Sequence, residues 1–237
     1  MRKKHLLLLI AALLTFILTG CMYPEDKLQQ NQIPYEDQVQ LVQTAVTKFR
    51  EDNGGILPIK NSEENTPIYQ KYKIDFKRLV PEYIAEAPGN AYESGGVFQY
   101  VLVDVEENPT VKIFDLRIPE TIGEIKLRIK TQGYPAYKEK AADNIFILDY
   151  KKLGFREEPY VISPYTNKNL SFVISGNAEI YVDYRMDLYE IMKKTEHSFK
   201  PGDDIRDLLW QDSMFVPVYS LPYTIDEETG DPIFLTK

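Results

Sequence analysis

One arrangement recurs along this chain and constrains its fold more than any other feature. A stretch of helical periodicity is followed by a short Asp-led piece and then by two β-rich runs. Val39, Val42, Val46 and Phe49 are spaced three, four and three apart, which places them on one helical face. Glu36 and Asp37 lead that segment, where the helix dipole favours negative charge, and Asn53-Gly54-Gly55 ends it. Asp75 is placed to cap a short helix over 75–79. Phe98, Tyr100 and Leu102 share one face of a predicted strand within 97–103, and Glu107-Asn108-Pro109 turns the chain into a partner strand over 111–116.

The order then returns. Pro119 opens a segment with Ile122, Ile125 and Ile129 at helical spacing, although Ile125-Leu127-Ile129 also reads as a strand. Asp149 to Leu153 echoes Asp75 to Leu79. A second hairpin is expected from 170–174 and 179–184 around Ser175-Gly176-Asn177. A shorter third echo follows: Leu188, Ile191, Met192 and Thr195 mark a helical face, Asp204 to Leu208 repeats the Asp-x-x-x-Leu piece, and Pro232 to Leu235 closes as a strand. Pro222-Tyr223-Thr224 also repeats Pro164-Tyr165-Thr166. The fold class is therefore α+β, built of duplicated units of helix plus antiparallel hairpin. The first unit spans 34–117, the second 119–184, and a partial unit 185–237. The offsets between the three Asp-led pieces, 74 and then 55 residues, exclude a strict solenoid, which keeps a fixed period.

The first 33 residues are of another kind. Arg2, Lys3 and Lys4 precede an apolar run from Leu6 to Leu18, as in an export signal, and the run is too short for a comfortable membrane span. It ends at Leu18-Thr19-Gly20-Cys21, which resembles the bacterial lipobox. That resemblance implies a signal peptide over 1–20, removed before Cys21, and a lipid, such as palmitate in diacylglycerol, on the Cys21 thiol. Two or more acyl chains hold a protein stably on a membrane where one does not. Residues 22–33 are polar and lack apolar periodicity, so 21–33 reads as a tether. Cys21 is the only cysteine, so the chain has no internal disulfide and its core alone must supply stability.

Charge and residue inventory remove several functions. Without Arg2, Lys3 and Lys4, 25 basic residues face 36 acidic ones, a net of −11. That balance argues against nucleic acid, and against docking on anionic lipid or polyanionic wall polymer by charge alone. His5 leaves with the signal, so His197 is the one histidine left for a triad or a zinc site, and no Gly-x-Ser-x-Gly supplies a nucleophile. No phosphate-cradling glycine motif occurs. Asp226-Glu227-Glu228 with Asp231 reads as an acidic turn or as a cation site, without the EF-hand order. No catalytic residue, cofactor or metal ligand is therefore assigned, and Cys21 is the one modification site. Seventeen tyrosines are many for this length; they suit half-buried sheet faces or a stacking surface for sugars or peptides.

Several stretches carry a family resemblance: Asn31 to Tyr35, Pro88 to Tyr92, Phe98 to Val105, Pro159 to Tyr165 and Ile180 to Arg185. On these the chain resembles a group of uncharacterised lipoproteins of spore-forming Gram-positive (Bacillus-type) bacteria. The resemblance implies a lipid-anchored protein on the extracytoplasmic face of the cell membrane, and it transfers no activity or site residue. The units are also similar to the heads of secretion pseudopilins, but those keep a long apolar helix where this chain has a polar tether. The expected role is a non-catalytic binding or scaffold domain with an envelope protein partner. The alternatives are a solute-binding component of a transporter and a carboxylate-dependent envelope glycan hydrolase.

Overall fold

The computed structural model describes residues 35–195 and 197–236. The stretches expected to be a signal peptide (1–20) and a tether (21–33), with Cys21, lie outside the described residues. The fold is α+β. Helix α1 (Tyr35–Asp52) buries Val39, Val42, Val46 and Phe49, the face its spacing indicates. It packs on the hairpin of β1 (Phe98–Val103) and β2 (Thr110–Asp115), with Phe98 opposite Asp115 and Val103 opposite Thr110. Between them runs a connection containing the short helix α2 (Ile68–Lys71) and a 3₁₀ turn at Phe76–Arg78. Asp75 caps that turn by accepting a hydrogen bond from the Lys77 amide.

Alternation in β1 predicts one buried face, yet all six residues are buried. The hairpin separates two cores. Phe98, Tyr100, Leu102, Val111 and Ile113 face the core under α1. Val101, Val103 and Phe114 face a second core supplied mostly by the rest of the chain. Both hairpin edges are covered as well. Ile74 N–H donates to Tyr100 O on the β1 side, and Ile113 N–H donates to Met214 O on the β2 side. Lys112, buried at the second edge, donates from Nζ to the carbonyls of Trp210 and Ser213. Burial lowers the pKa of its ammonium.

Helix α3 (Arg117–Gln132) settles the ambiguous segment. Ile118, Ile122 and Ile125 are buried and Leu127 is 61 % exposed, as helical and not strand geometry requires. Gly133, at φ +90°, closes the helix in the left-handed conformation that glycine adopts without strain. Next comes a hairpin absent from the sequence expectation, β3 (Tyr137–Ala142) with β4 (Ile145–Leu148). A two-residue pair follows, β5 (Val161–Ile162) with β6 (Asn169–Leu170), and then the expected hairpin β7 (Phe172–Ser175) with β8 (Ile180–Val182). The four-stranded sheet runs β3-β4-β7-β8.

Helix α4 (Arg185–Met192), the short α5 (Asp207–Trp210) and the hairpin β9 (Tyr223–Ile225) with β10 (Pro232–Phe234) complete the fold. Helix-then-hairpin thus occurs three times. The cores do not follow that count, because residues from α3 to β10 pack in one cluster. The stretch 214–220 stitches the β1–β2 hairpin to the four-stranded sheet: its first residues bond to β2, and Tyr219 O accepts from Val182 N–H on β8.

Tyrosine hydroxyls are tied into this core. Tyr184 Oη donates to Val218 O at 3.0 Å, Tyr150 Oη to Phe172 O at 3.2 Å, and Tyr100 Oη to Asn90 Oδ1 at 2.7 Å. Burial raises the pKa of each of these phenols. Structural packing therefore accounts for much of the tyrosine content.

Candidate binding grooves

A local device recurs where each hairpin hands over to the next helix. Asp115 ends β2 and Arg117 begins α3; Asp183 follows β8 and Arg185 begins α4. In both, the Arg backbone N–H donates to Asp Oδ1, the guanidinium Nε–H reaches both carboxylate oxygens, and Nη2 donates to Oδ2. Asp204 and Arg206 make the same fork ahead of α5. A residue spacing of two lets the side chain bridge the same turn that its backbone closes. At Arg117 and Arg185 the hydrogen bonds to the carboxylate, and then its opposing charge, raise the guanidinium pKa against the effect of burial.

Both hairpin-to-helix forks open onto a groove. At the second, a groove of about 580 Å³ is lined by the Asp183–Arg185 fork, Met186 and Tyr189 on α4, the stretch from Lys168 to Ser171 that contains β6, and Asp231 and Pro232 at the start of β10. Its fork is held from behind, with the Arg185 guanidinium 4.3 Å from the Phe234 ring centroid. At the first, two adjoining hollows of about 190 and 300 Å³ share Asp115, Arg117, Ile118 and Ile162. Thr121 and Tyr160 line the larger of them. Counted from the acid, Arg117, Ile118 and Thr121 hold the same positions as Arg185, Met186 and Tyr189. Each groove presents an exposed tyrosine, Tyr160 at 51 % and Tyr189 at 37 %.

A buried polar cluster pins the turn between β5 and β6 against α4. Asp187 and Ser163 are fully buried. Asp187 Oδ1 accepts from Ser163 Oγ at 2.8 Å and Thr166 Oγ1 at 2.6 Å, while Ser163 Oγ accepts from the Tyr165 and Thr166 amides. Asp187 Oδ2 and Tyr165 Oη have no hydrogen-bond partner among the described residues. Burial raises the Asp187 pKa; the two hydroxyl bonds and Lys168 oppose this, and Glu190 adds to it. A carboxyl with a raised folded pKa binds its proton more tightly folded than unfolded. Its contribution therefore favours folding at low pH and is lost as pH climbs from about 4 through the raised value. Asp187→Asn keeps an acceptor for both hydroxyls and removes the charge. Thermal unfolding at pH 4 and pH 7 should show the variant gaining on the parent as pH rises; a constant difference between the two proteins would refute this.

The other sequence candidates fall elsewhere. Asp226 Oδ1 accepts from the Glu228 and Thr229 amides and from Thr229 Oγ1, so this carboxylate caps the turn between β9 and β10. Those backbone bonds lower its pKa. Among the described residues no group of three or more His, Cys, Asp or Glu gathers around a point. His197 is exposed and stacks on Phe199 with centroids 5.7 Å apart. Cys21 lies outside the described residues. The sequence reading missed the Asp-x-Arg forks, although Asp115-Leu116-Arg117, Asp183-Tyr184-Arg185 and Asp204-Ile205-Arg206 are visible as a recurring tripeptide pattern.

Residues 35–115 match the model of the YphF family N-terminal domain. The match runs from the first residue of α1 to the last of β2, Asp115 of the first fork. No curated protein matches the chain, and no solved structure does.

Proposed function

We propose that this chain is a lipoprotein anchored through Cys21 on the extracytoplasmic face of the cell membrane, and that its folded part is a non-catalytic binding domain of the envelope. One observation carries the binding role: two open grooves, each built on an Asp–Arg fork of zero net charge beside an exposed tyrosine. A fork whose charges are already matched orients a ligand through its spare N–H donors and carboxylate lone pairs, without a strong field to drive chemistry. The anchoring rests on the leader and Cys21. Among the described residues no helix is long and apolar enough to cross a membrane.

Two measurements test the proposal. Cells fed labelled palmitate should incorporate it into the parent protein, and Cys21→Ala should abolish incorporation and leave the precursor uncut; label retained in the variant would overturn the anchoring. Capture of envelope material on the lipidated protein should fall at least tenfold in the Tyr160→Ala, Tyr189→Ala double variant with the fold intact. Undiminished capture would overturn the groove as the binding surface.

A further inference from the structure

The geometry points to two equivalent sites for a neutral, hydroxyl-rich ligand, a glycan strand, one at the Asp115–Arg117 fork and one at the Asp183–Arg185 fork. This inference rests on the binding-domain reading and specifies its ligand.

Three observations converge. First, the two grooves occupy the same place in successive units, and the residues at the acid, +2, +3 and +6 positions line both. A site made twice by one chain suits a ligand that itself repeats, because the second contact forms at high effective concentration once the first is made. Second, the fork in each groove is neutral and planar, and the two further charges that line the second groove, Lys168 and Asp231, are of opposite sign. The guanidinium uses Nε and one Nη2 hydrogen on its own carboxylate, which leaves its remaining N–H groups beside carboxylate lone pairs. Such a pair of neighbouring donors and acceptors matches adjacent sugar hydroxyls, each of which both donates and accepts. Thr121 in one groove, and Asn169 and Ser171 in the other, add uncharged groups of the same kind. Third, each groove has a tyrosine ring whose apolar face can cover the C–H face of a pyranose while its hydroxyl stays wet; at Tyr189 the Lys193 ammonium lies 4.1 Å from the ring centroid, which leaves the opposite face for the sugar. The ring comes from α4 in one case (Tyr189) and from the residue before β5 in the other (Tyr160), so the chemistry is kept although its source differs.

The net charge of −11 without the leader leaves little attraction for a polyanion. An extended peptide is the competing occupant, but it would be read chiefly through backbone bonding at a free strand edge. At the second fork the groove is lined by Met186 and Tyr189 of α4 as well as by strand residues, and the Ser171 carbonyl beside β6 is already taken by the Asp183 N–H.

The test uses the lipidated chain in detergent micelles, isotopically labelled, with triacetylchitotriose as the neutral probe and tetra-alanine as the peptide control. The sugar should shift two separate sets of amides, one around 117–121 and 160–162, the other around 169–171 and 185–189. Tyr160→Ala should weaken the first set at least tenfold and spare the second, and Tyr189→Ala the reverse. Tyr160→Phe and Tyr189→Phe should keep binding, since the ring face remains. Unchanged amide positions elsewhere report an intact fold. Shifts in one set alone, or shifts indifferent to both alanine variants, would overturn the paired-site inference. Shifts with tetra-alanine and none with the sugar would replace glycan by peptide. If neither probe shifts the spectrum while tyrosine-dependent envelope capture persists, the glycan inference fails and the binding-domain reading stands. If that capture is also absent, both fail.

Discussion

Gly96→Ala should cost this protein about 3 kcal/mol of stability or more, enough to leave a large unfolded fraction in a marginal domain. A Cβ at residue 96 would lie 2.1 Å from the carbonyl carbon of Asn90 and 2.2 Å from its oxygen. These are backbone atoms, and the backbone at Asn90 has nowhere to go. Its carbonyl accepts from Phe98 N–H at the start of β1, its amide donates to Gln38 Oε1 on α1, and its side chain receives the Tyr100 hydroxyl. Relieving the clash therefore means moving the helix, the turn and the strand together. Gly176→Ala is the control. There the new Cβ would approach Asn144 Oδ1 at 2.0 Å, the free end of an exposed side chain that can rotate away. Its expected cost is below about 1 kcal/mol. Urea denaturation of the two variants side by side decides the matter: equal midpoints would contradict the packing at Gly96.

Tyr223→Phe should destabilise by about 2–3 kcal/mol, a large effect for the loss of one oxygen. The Tyr223 hydroxyl accepts from Tyr184 N–H at 2.9 Å and donates to Val182 O at 3.1 Å, inside a core where Tyr184, Val182 and Tyr223 are all buried. Phenylalanine fills the same space but leaves an amide and a carbonyl without that partner, out of reach of water. Tyr184→Phe removes one bond to Val218 O and should cost about half as much. Because Val182 and Tyr184 flank Asp183, the Tyr223 variant should also loosen the second fork. Amide exchange at Arg185 is expected to rise more in Tyr223→Phe than in Tyr184→Phe. The opposite order would show that the phenol does not hold the junction.

Local pattern predicted elements well where a single periodicity dominated. The α1 face, the Asp75 cap, the β1–β2 hairpin, the β7–β8 hairpin and the closing strand at Pro232 all appear. The 117–132 segment was ambiguous in sequence because Ile125, Leu127 and Ile129 satisfy period two as well as the helical spacing. Tertiary burial of Ile118, Ile122 and Ile125 selects the helix. The β3–β4 hairpin escaped notice because β3 is Tyr137-Lys138-Glu139-Lys140-Ala141-Ala142, an outer strand of mostly exposed residues with two register shifts and little apolar alternation. Edge strands are kept charged to discourage further pairing, so they carry a weak hydrophobic signal.

The grooves illustrate a second limit. The Asp-x-Arg tripeptides stand in the sequence, yet Asp and Arg two residues apart are common on any surface. Only the fold shows that two of the three occupy a hairpin-to-helix junction and open beside an exposed tyrosine. Tyr160 lies 43 residues from Arg117, and no spacing rule connects them. They meet because β5 packs beside the first turn of α3, where Val161 and Ile118 join the same core.

By itself, the sequence determined what depends on neighbours in the chain: helix faces and their caps, hairpin turns, the α+β class, a single cysteine that allows no internal disulfide, and a charge balance unsuited to polyanions. The tertiary structure decided what depends on distant partners. It buries the β1–β2 hairpin on both faces, joins the second and third helix-and-hairpin units into one core, turns the Asp226 carboxylate into a turn cap, and brings Tyr160 to the first fork. The physical reason is the same in each case. Periodicity records which face of an element turns away from water, and it carries no information about which distant element arrives to cover that face.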